Sequence, residues 1–275
     1  ASGQDITLDE SASTFGTLAL TGANVAVTDA GAVDLGASTV SGTLGITSAG
    51  AVTDSGTLAI TGATTISASG QDITLDEAAS TFGTLALTGV NVAVTDAGAV
   101  DLGASTVSGT LGITSAGAVT DSGTLAITGA TTISASGQDI TLDESASTFG
   151  SLLLTGVNVA VTDAGAVDLG ASTVTGTLGI TSAGAVTDSG TLAVTGATTI
   201  SASGQDITLD ESASTFGTLA LTGANVAVTE NAATDLGAST ISGTFGITSG
   251  GAITDSGTQA ITGDATFTNT AGDDD

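Results

Sequence analysis

Apolar residues recur at i and i+2 in short runs along the whole chain, and Gly, Ser, Asn or Asp closes each run. In the first 67 residues the pairs are Ile6/Leu8, Leu18/Leu20, Val25/Val27, Val33/Leu35, Leu44/Ile46 and Leu58/Ile60. Val40, Val52 and Ile66 sit in similar segments. A period of two describes strands with one face buried. The 3.6-residue period of a helix is absent, and the 41 glycines would weaken any helix by up to ~1 kcal/mol each. The pattern predicts about nine short strands in each stretch of 67 residues.

That length is the period of the chain. The string ASGQDITLDE begins at Ala1, Ala68, Ala135 and Ala202, which defines copies 1–67, 68–134, 135–201 and 202–268 and a tail, 269–275. Copies one and two differ only at Ser11/Ala78 and Ala23/Val90. A long-period repeat built of short strands reads as an all-β parallel β-helix, a β-solenoid, running as one continuous element over 1–275. Three-sided coils of about 22 residues give about three coils per repeat and about twelve in total; a two-sided coil also fits the spacing. A sandwich wants buried aromatics and Asn-Gly or Asp-Gly hairpins. Six Phe are the only aromatics and neither dipeptide occurs.

Alternation then assigns the faces. With Ile6 and Leu8 inside, Asp5, Thr7 and Asp9 point out, and Asp34 does so between Val33 and Leu35. Ala19, Ala26, Gly45 and Ala59 also face outward and are small, which suits lateral packing of one rod on another. Phe15, Phe82, Phe149 and Phe216 recur in Thr-Phe-Gly and are expected to fill an inner corner. Asn24 and its counterparts Asn91, Asn158 and Asn225 are expected to be turn residues, bonding locally or adopting the left-handed conformation. Equivalent acids, three coils apart in one ladder, would be about 14 Å from each other, beyond the ~8 Å screening length. In copy four Gln259, Asp264 and Thr234 stand where copy one has Leu58, Ala63 and Val33. Polar residues at inward positions suit a terminal coil, or an end that meets Ala1 of another chain.

Composition narrows the chemistry. There are 28 acidic residues and no Lys, Arg, His, Cys, Pro, Met, Trp or Tyr, for a net charge of −28. Such a chain repels nucleic acid and anionic membranes. It has no thiol or imidazole for nucleophilic or acid–base work, so no enzyme and no catalytic residue is expected. No apolar run approaches the ~18–20 residues of a spanning helix. No signal-peptide pattern opens the sequence, which reads as a processed chain or a segment of a longer one. No cofactor or metal site is assigned. Calcium is the one ion weighed, for Asp9-Glu10, for Asp29 with Asp34, and for the three Asp of the tail, though none matches a known calcium loop. Thr43, Thr57 and Thr64-Thr65 are the candidates for an outward, ice-binding rank of Thr, but the pattern does not recur on every coil.

The run Asp34-LGASTVSGTLGITSAGAVTDSGTLAITGATT-Ile66, with Asp5-Ile-Thr-Leu8 followed by Thr14-Phe-Gly16, resembles repeats of large filamentous-haemagglutinin-like exoproteins of Gram-negative bacteria. The resemblance covers all four copies. It implies a right-handed parallel β-helix, export by a two-partner route and a role as a fibre or adhesin shaft, and it carries over no functional residue. The amino-terminal secretion domain of that family is not visible in this sequence. The expected function is a structural part of an extracellular filament or adhesin stalk that self-associates end to end or laterally, without nucleic acid or membrane insertion. The alternative is a surface module that binds calcium, carbohydrate or a cell.

Overall fold

The computed structural model describes residues 3–271, and among these every regular element is a strand. The chain divides into two compact units, Ala1–Gln138 and Asp139–Asp275. In the first, parallel pairing runs from strand Ile6–Leu8 to Val25–Asp29, from there to Leu44–Ser48, then to Thr64–Ser67 and then to Thr84–Gly89. The register Ile6, Val25, Leu44, Thr64, Leu85 advances by 19, 19, 20 and 21 residues. A second column runs Val33, Val52, Ile73, Val92, Leu111, Thr131. A third stacks Ser38–Val40 on Leu58–Ile60 and continues by a bridge from Ala59 to Thr81. The second unit repeats the plan with Ile140, Val159, Leu178, Thr198, Leu219 and with Val167, Val186, Ile207, Val226, Phe245, Ala265. The fold is an all-β parallel β-helix, and three strands make a turn.

The coil is tighter than the spacing suggested. Only Ala30–Ala32 separates Val25–Asp29 from Val33–Leu35, so turns close in fewer residues and about 14 of them replace the expected twelve. Nor is a copy a whole number of turns. Three steps from Ile6 reach Thr64, and Ile73, the counterpart of Ile6, lies one strand further on, in the second column. In the other unit Ile140 and Ile207 likewise occupy different columns. One copy is therefore three turns and one additional strand. The expected ladder of equivalent acids three coils apart does not form, because each copy places them on the next face.

Most of the predicted inward residues form the core, whereas Ile6, Leu8, Phe15 and Leu18 of the first copy are half-exposed. Val25, Val27, Leu44, Ile46, Leu58 and Ile66 are at most 2 % exposed, and Ile73, Leu75 and Leu85 are fully buried. Each such side chain stabilises the fold by about 1.5–3 kcal/mol through burial. Phe82, Phe149 and Phe216 are buried as corner fillers. Of the outward residues, Asp5, Thr7, Asp9, Ala19, Ala26 and Ala59 are exposed, and Asp34 and Gly45 half-exposed. Thr234 takes Val33's inward place and is buried. Gln259 takes Leu58's place and turns its Nε2 onto the carbonyls of Gly237 and Gly257, at 2.7 and 2.9 Å. Asp264 lies exposed.

Two features of the stack make testable demands. Where turns meet at the Gly42–Gly62–Gly83 corner, a Cβ on Gly62 would lie 2.5 Å from the Gly42 oxygen and 2.7 Å from its carbonyl carbon. Backbone cannot yield there, so Gly62→Ala is expected to cost about 1–3 kcal/mol in denaturant unfolding. Thr64 is fully buried between Leu44 and Leu85, and its Oγ1 has no partner; Thr198 repeats this between Leu178 and Leu219. A buried hydroxyl without a partner is destabilising. Thr198→Val is therefore expected to raise stability by about 1–2 kcal/mol, read from the denaturation midpoint.

Candidate functional site

A chain with no cation must hold its carboxylates with N–H and O–H donors, and the structure does so in three repeated ways. The first is a surface ladder. Asn24 donates its backbone N–H and its Nδ2 to Asp5 Oδ1, at 3.1 and 3.0 Å. Its own Oδ1 accepts from Thr43 N–H and Oγ1, at 3.1 and 3.2 Å. Asp72–Asn91–Thr110, Asp139–Asn158–Thr177 and Asp206–Asn225–Thr244 repeat the arrangement. The Asn residues are thus rungs between turns, 19 residues from each partner, rather than local turn formers. No residue other than Gly has positive φ among the described ones.

Beside this ladder the small outward residues make a shallow groove. Thr74, Ala93, Gly112 and Thr132 follow one another in register and form its floor, with Asp72, Asn91 and Thr110 along one rim. Its volume is about 350 Å³. In the second unit Thr141, Ala160, Gly179 and Thr199 form the same groove against Asp139, Asn158 and Thr177.

The second way is a hydroxyl clamp on the surface. Asp34 Oδ2 accepts from Thr17 Oγ1 at 2.6 Å and Ser55 Oγ at 2.8 Å. These two donors hold its carboxyl below the ordinary value. Asp101 stands between Thr84 and Ser122 and Asp235 between Thr218 and Ser256 in the same manner.

The third way is burial, which was not expected. Asp29, Asp96, Asp163 and Glu230 are 2 % exposed and occupy the inward position after two inward valines. Asp96 accepts from Gly98 N–H at 2.6 Å and from Phe82 N–H at 3.0 Å. Burial pushes the carboxyls of Asp96, Asp163 and Glu230 up. Asp54 and Asp188, each 8 % exposed, accept at 2.8 Å from the N–H of Asp76 and Asp210. Burial raises both, and the neighbouring carboxylates of Asp76 and Glu77, or Asp210 and Glu211, add to it. These inward acids hold the one long segment of each copy that lacks a strand, between Leu75 and Thr84 in copy two. The i+2 alternation that placed Val25, Val27 and Val52 also runs through Asp29 and Asp54 and could have found them.

The candidate calcium ligands are not assembled. Asp9 and Glu10 are exposed, Asp29 is buried and Asp34 lies outside. Among the described residues no group of three or more His, Cys, Asp or Glu is placed to hold a metal ion. The tail Asp residues lie outside the described residues. Thr64 is an inward residue, and Thr43 is bonded to Asn24, so neither offers a free outward rank of hydroxyls. No helix among the described residues is long and apolar enough to cross a membrane.

A family model described as repeats of unknown function (DUF5649) matches residues 22–88, 89–155, 156–222 and 223–274. Its unit has the same 67-residue period, entered at Gly22 rather than Ala1. No curated protein matches the chain, and no solved structure matches it.

Proposed function

The chain belongs to the family of repeats of unknown function, DUF5649, and on that premise we propose that it is a structural segment of an extracellular filament or adhesin stalk. The observation that supports this reading is the sameness of the copies. Each repeats the same inward alternation and the same Asp–Asn–Thr rungs, Asp29, Asp96, Asp163 and Glu230 recur as one buried acid per copy, and both units carry equivalent grooves. An active site breaks such uniformity, whereas a spacer is made of it. A surface of carboxylates matched to N–H and O–H donors keeps the segment soluble without salt bridges, which are impossible here. The resemblance to filamentous-haemagglutinin-like repeats agrees with an exported shaft, and self-association into filaments is part of the proposal. Gold-labelled antibodies on producing cells test it. Label along surface fibres is the expected result, and label confined to the cell interior would refute it.

A second reading draws on the two grooves, whose Asp, Asn and Thr rims offer the donors and acceptors that sugar hydroxyls require. It makes the same surface a carbohydrate-binding face. Binding of the chain to immobilised glycans that is lost in Gly112→Leu, with the fold intact by circular dichroism, would favour this reading over a plain shaft.

A further inference from the structure

Asp54 closes strand Val52–Asp54, and the alternation that buries Val52 also turns its carboxylate inward. Oδ1 accepts the Asp76 N–H at 2.8 Å, while Oδ2 is buried and has no partner. The chain leaves strand Ile73–Leu75 at this corner and regains the frame at Ser80. Ser80 is fully buried; its Oγ accepts the Leu58 N–H at 2.9 Å and its N–H donates to Glu77 O at 2.9 Å. Between these two anchors Asp76, Ala78 and Ala79 are exposed and Glu77 half-exposed. In the second unit Asp188 Oδ1 accepts the Asp210 N–H at 2.8 Å, and its Oδ2 differs from that of Asp54 in accepting one long bond, from Glu211 N–H at 3.4 Å.

An unpaired buried carboxylate oxygen is poorly placed as an anion and well placed as an acid. Once protonated it becomes a donor, and the groups that face Asp54 are the carboxylates of Asp76 and Glu77. From the strand on its other side the register partner is Leu35, with Asp34 turned outward. No Lys, Arg or His exists anywhere in the chain to neutralise the cluster instead. We propose that each of these corners is a proton-operated latch: on acidification Asp54, or Asp188, takes one proton at Oδ2 and donates it in a hydrogen bond to a facing carboxylate, which clamps segment 76–79, or 210–213, onto the coil. Oδ1 keeps its N–H bond throughout. Burial and two like-charged neighbours place this proton uptake above the ordinary aspartate range. Asp96 is the built-in contrast, because both its oxygens already accept short N–H bonds, at 2.6 and 3.0 Å, whereas Asp54 Oδ2 accepts none and Asp188 Oδ2 only the 3.4 Å contact.

The test is an NMR titration of the full chain from pH 7.5 down through the ordinary aspartate range, following side-chain carboxyl signals and amide exchange corrected for its intrinsic pH dependence. Asp54 and Asp188 are expected to titrate above the ordinary range near 3.9. Amide protection at 76–79 and 210–213 is expected to rise by about fivefold in step with them. Asp54→Asn, whose amide donates without a proton, is expected to show the high protection at pH 7.5 and no pH response at 76–79, while 210–213 still responds. Glu77→Gln removes one facing anion and is expected to lower the Asp54 midpoint. Flat protection across the titration, or an equal rise at Phe82 and Gly98, overturns the latch. So does millimolar calcium at pH 7.5 reproducing the acid effect, since the corner would then be a cation site.

Discussion

Lowering the pH from 7 towards the unfolded carboxylate values is expected to raise the melting temperature of this protein, the reverse of ordinary acid destabilisation. Asp54, Asp96, Asp163 and Asp188 are raised from 3.8, and Glu230 from 4.5, in each case chiefly by burial of the charged form. A folded-state value above the unfolded one means that the folded chain binds the proton more tightly. The resulting stabilisation is complete below the unfolded values of 3.8 and 4.5 and is lost as pH rises through the folded ones. At pH 7 all five groups are therefore at their least favourable. Asp34 has the opposite sign, because two hydroxyls stabilise its charged form, but it lies at the surface where solvent screens the effect. The net charge of −28, with no cation to offset it, pushes in the same direction as the buried acids. Together these effects predict a rise measurable by calorimetry. Raising NaCl from 0.05 to 0.5 M at pH 7 is expected to recover part of it by screening. Dilute samples are needed, since the isoelectric point is about 4.1. A melting temperature that falls steadily as the pH is lowered from 7 to the unfolded carboxylate values would show that the inward carboxylates are stabilised as anions.

How far the sequence carries this picture depends on the range of each interaction. The inward faces were legible because apolar alternation is local: Ile73 and Leu75 need only their neighbours to be read, and both are fully buried. Pitch was not legible, because it depends on how many residues each corner consumes, and corners as short as Ala30–Ala32 compress the turn. Everything that depends on pitch went with it. The partner of Asn24 lies 19 residues away, a distance invisible until the coil is known, so a local turn was the natural expectation. The same error placed equivalent acids in one column. Asp29 and Asp54 were hidden for a different reason. Their spacing marks them inward, but a charge with no cation in the chain argues for the surface. What decides the matter is the supply of backbone N–H groups at the corners, from Phe15 and Gly31 for Asp29 and from Asp76 for Asp54. Neither site has a sequence signal apart from the alternation itself.

Removing part of one core rung is expected to be costly and also confined. Leu102 is 1 % exposed and follows Leu85 in the register, with Asp121 next after it. Leu102→Ala deletes three buried carbon atoms from a stack that cannot collapse sideways, because parallel strands hold the turns above and below at a fixed spacing. The expected loss is about 2–5 kcal/mol. In a solenoid each turn contacts only its neighbours, so stability is a sum of local terms and the damage should spread by contact rather than through the whole unit. Amide exchange is the measurement that separates these outcomes. Protection should fall by more than about tenfold in Thr84–Gly89 and Val119–Asp121, the strands paired with Val100–Leu102. It should be nearly unchanged in Ile6–Leu8, four register steps before Leu85. Uniform loss across all of these strands would mean that the unit unfolds as one cooperative body, and the nearest-neighbour account of its stability would have to be abandoned.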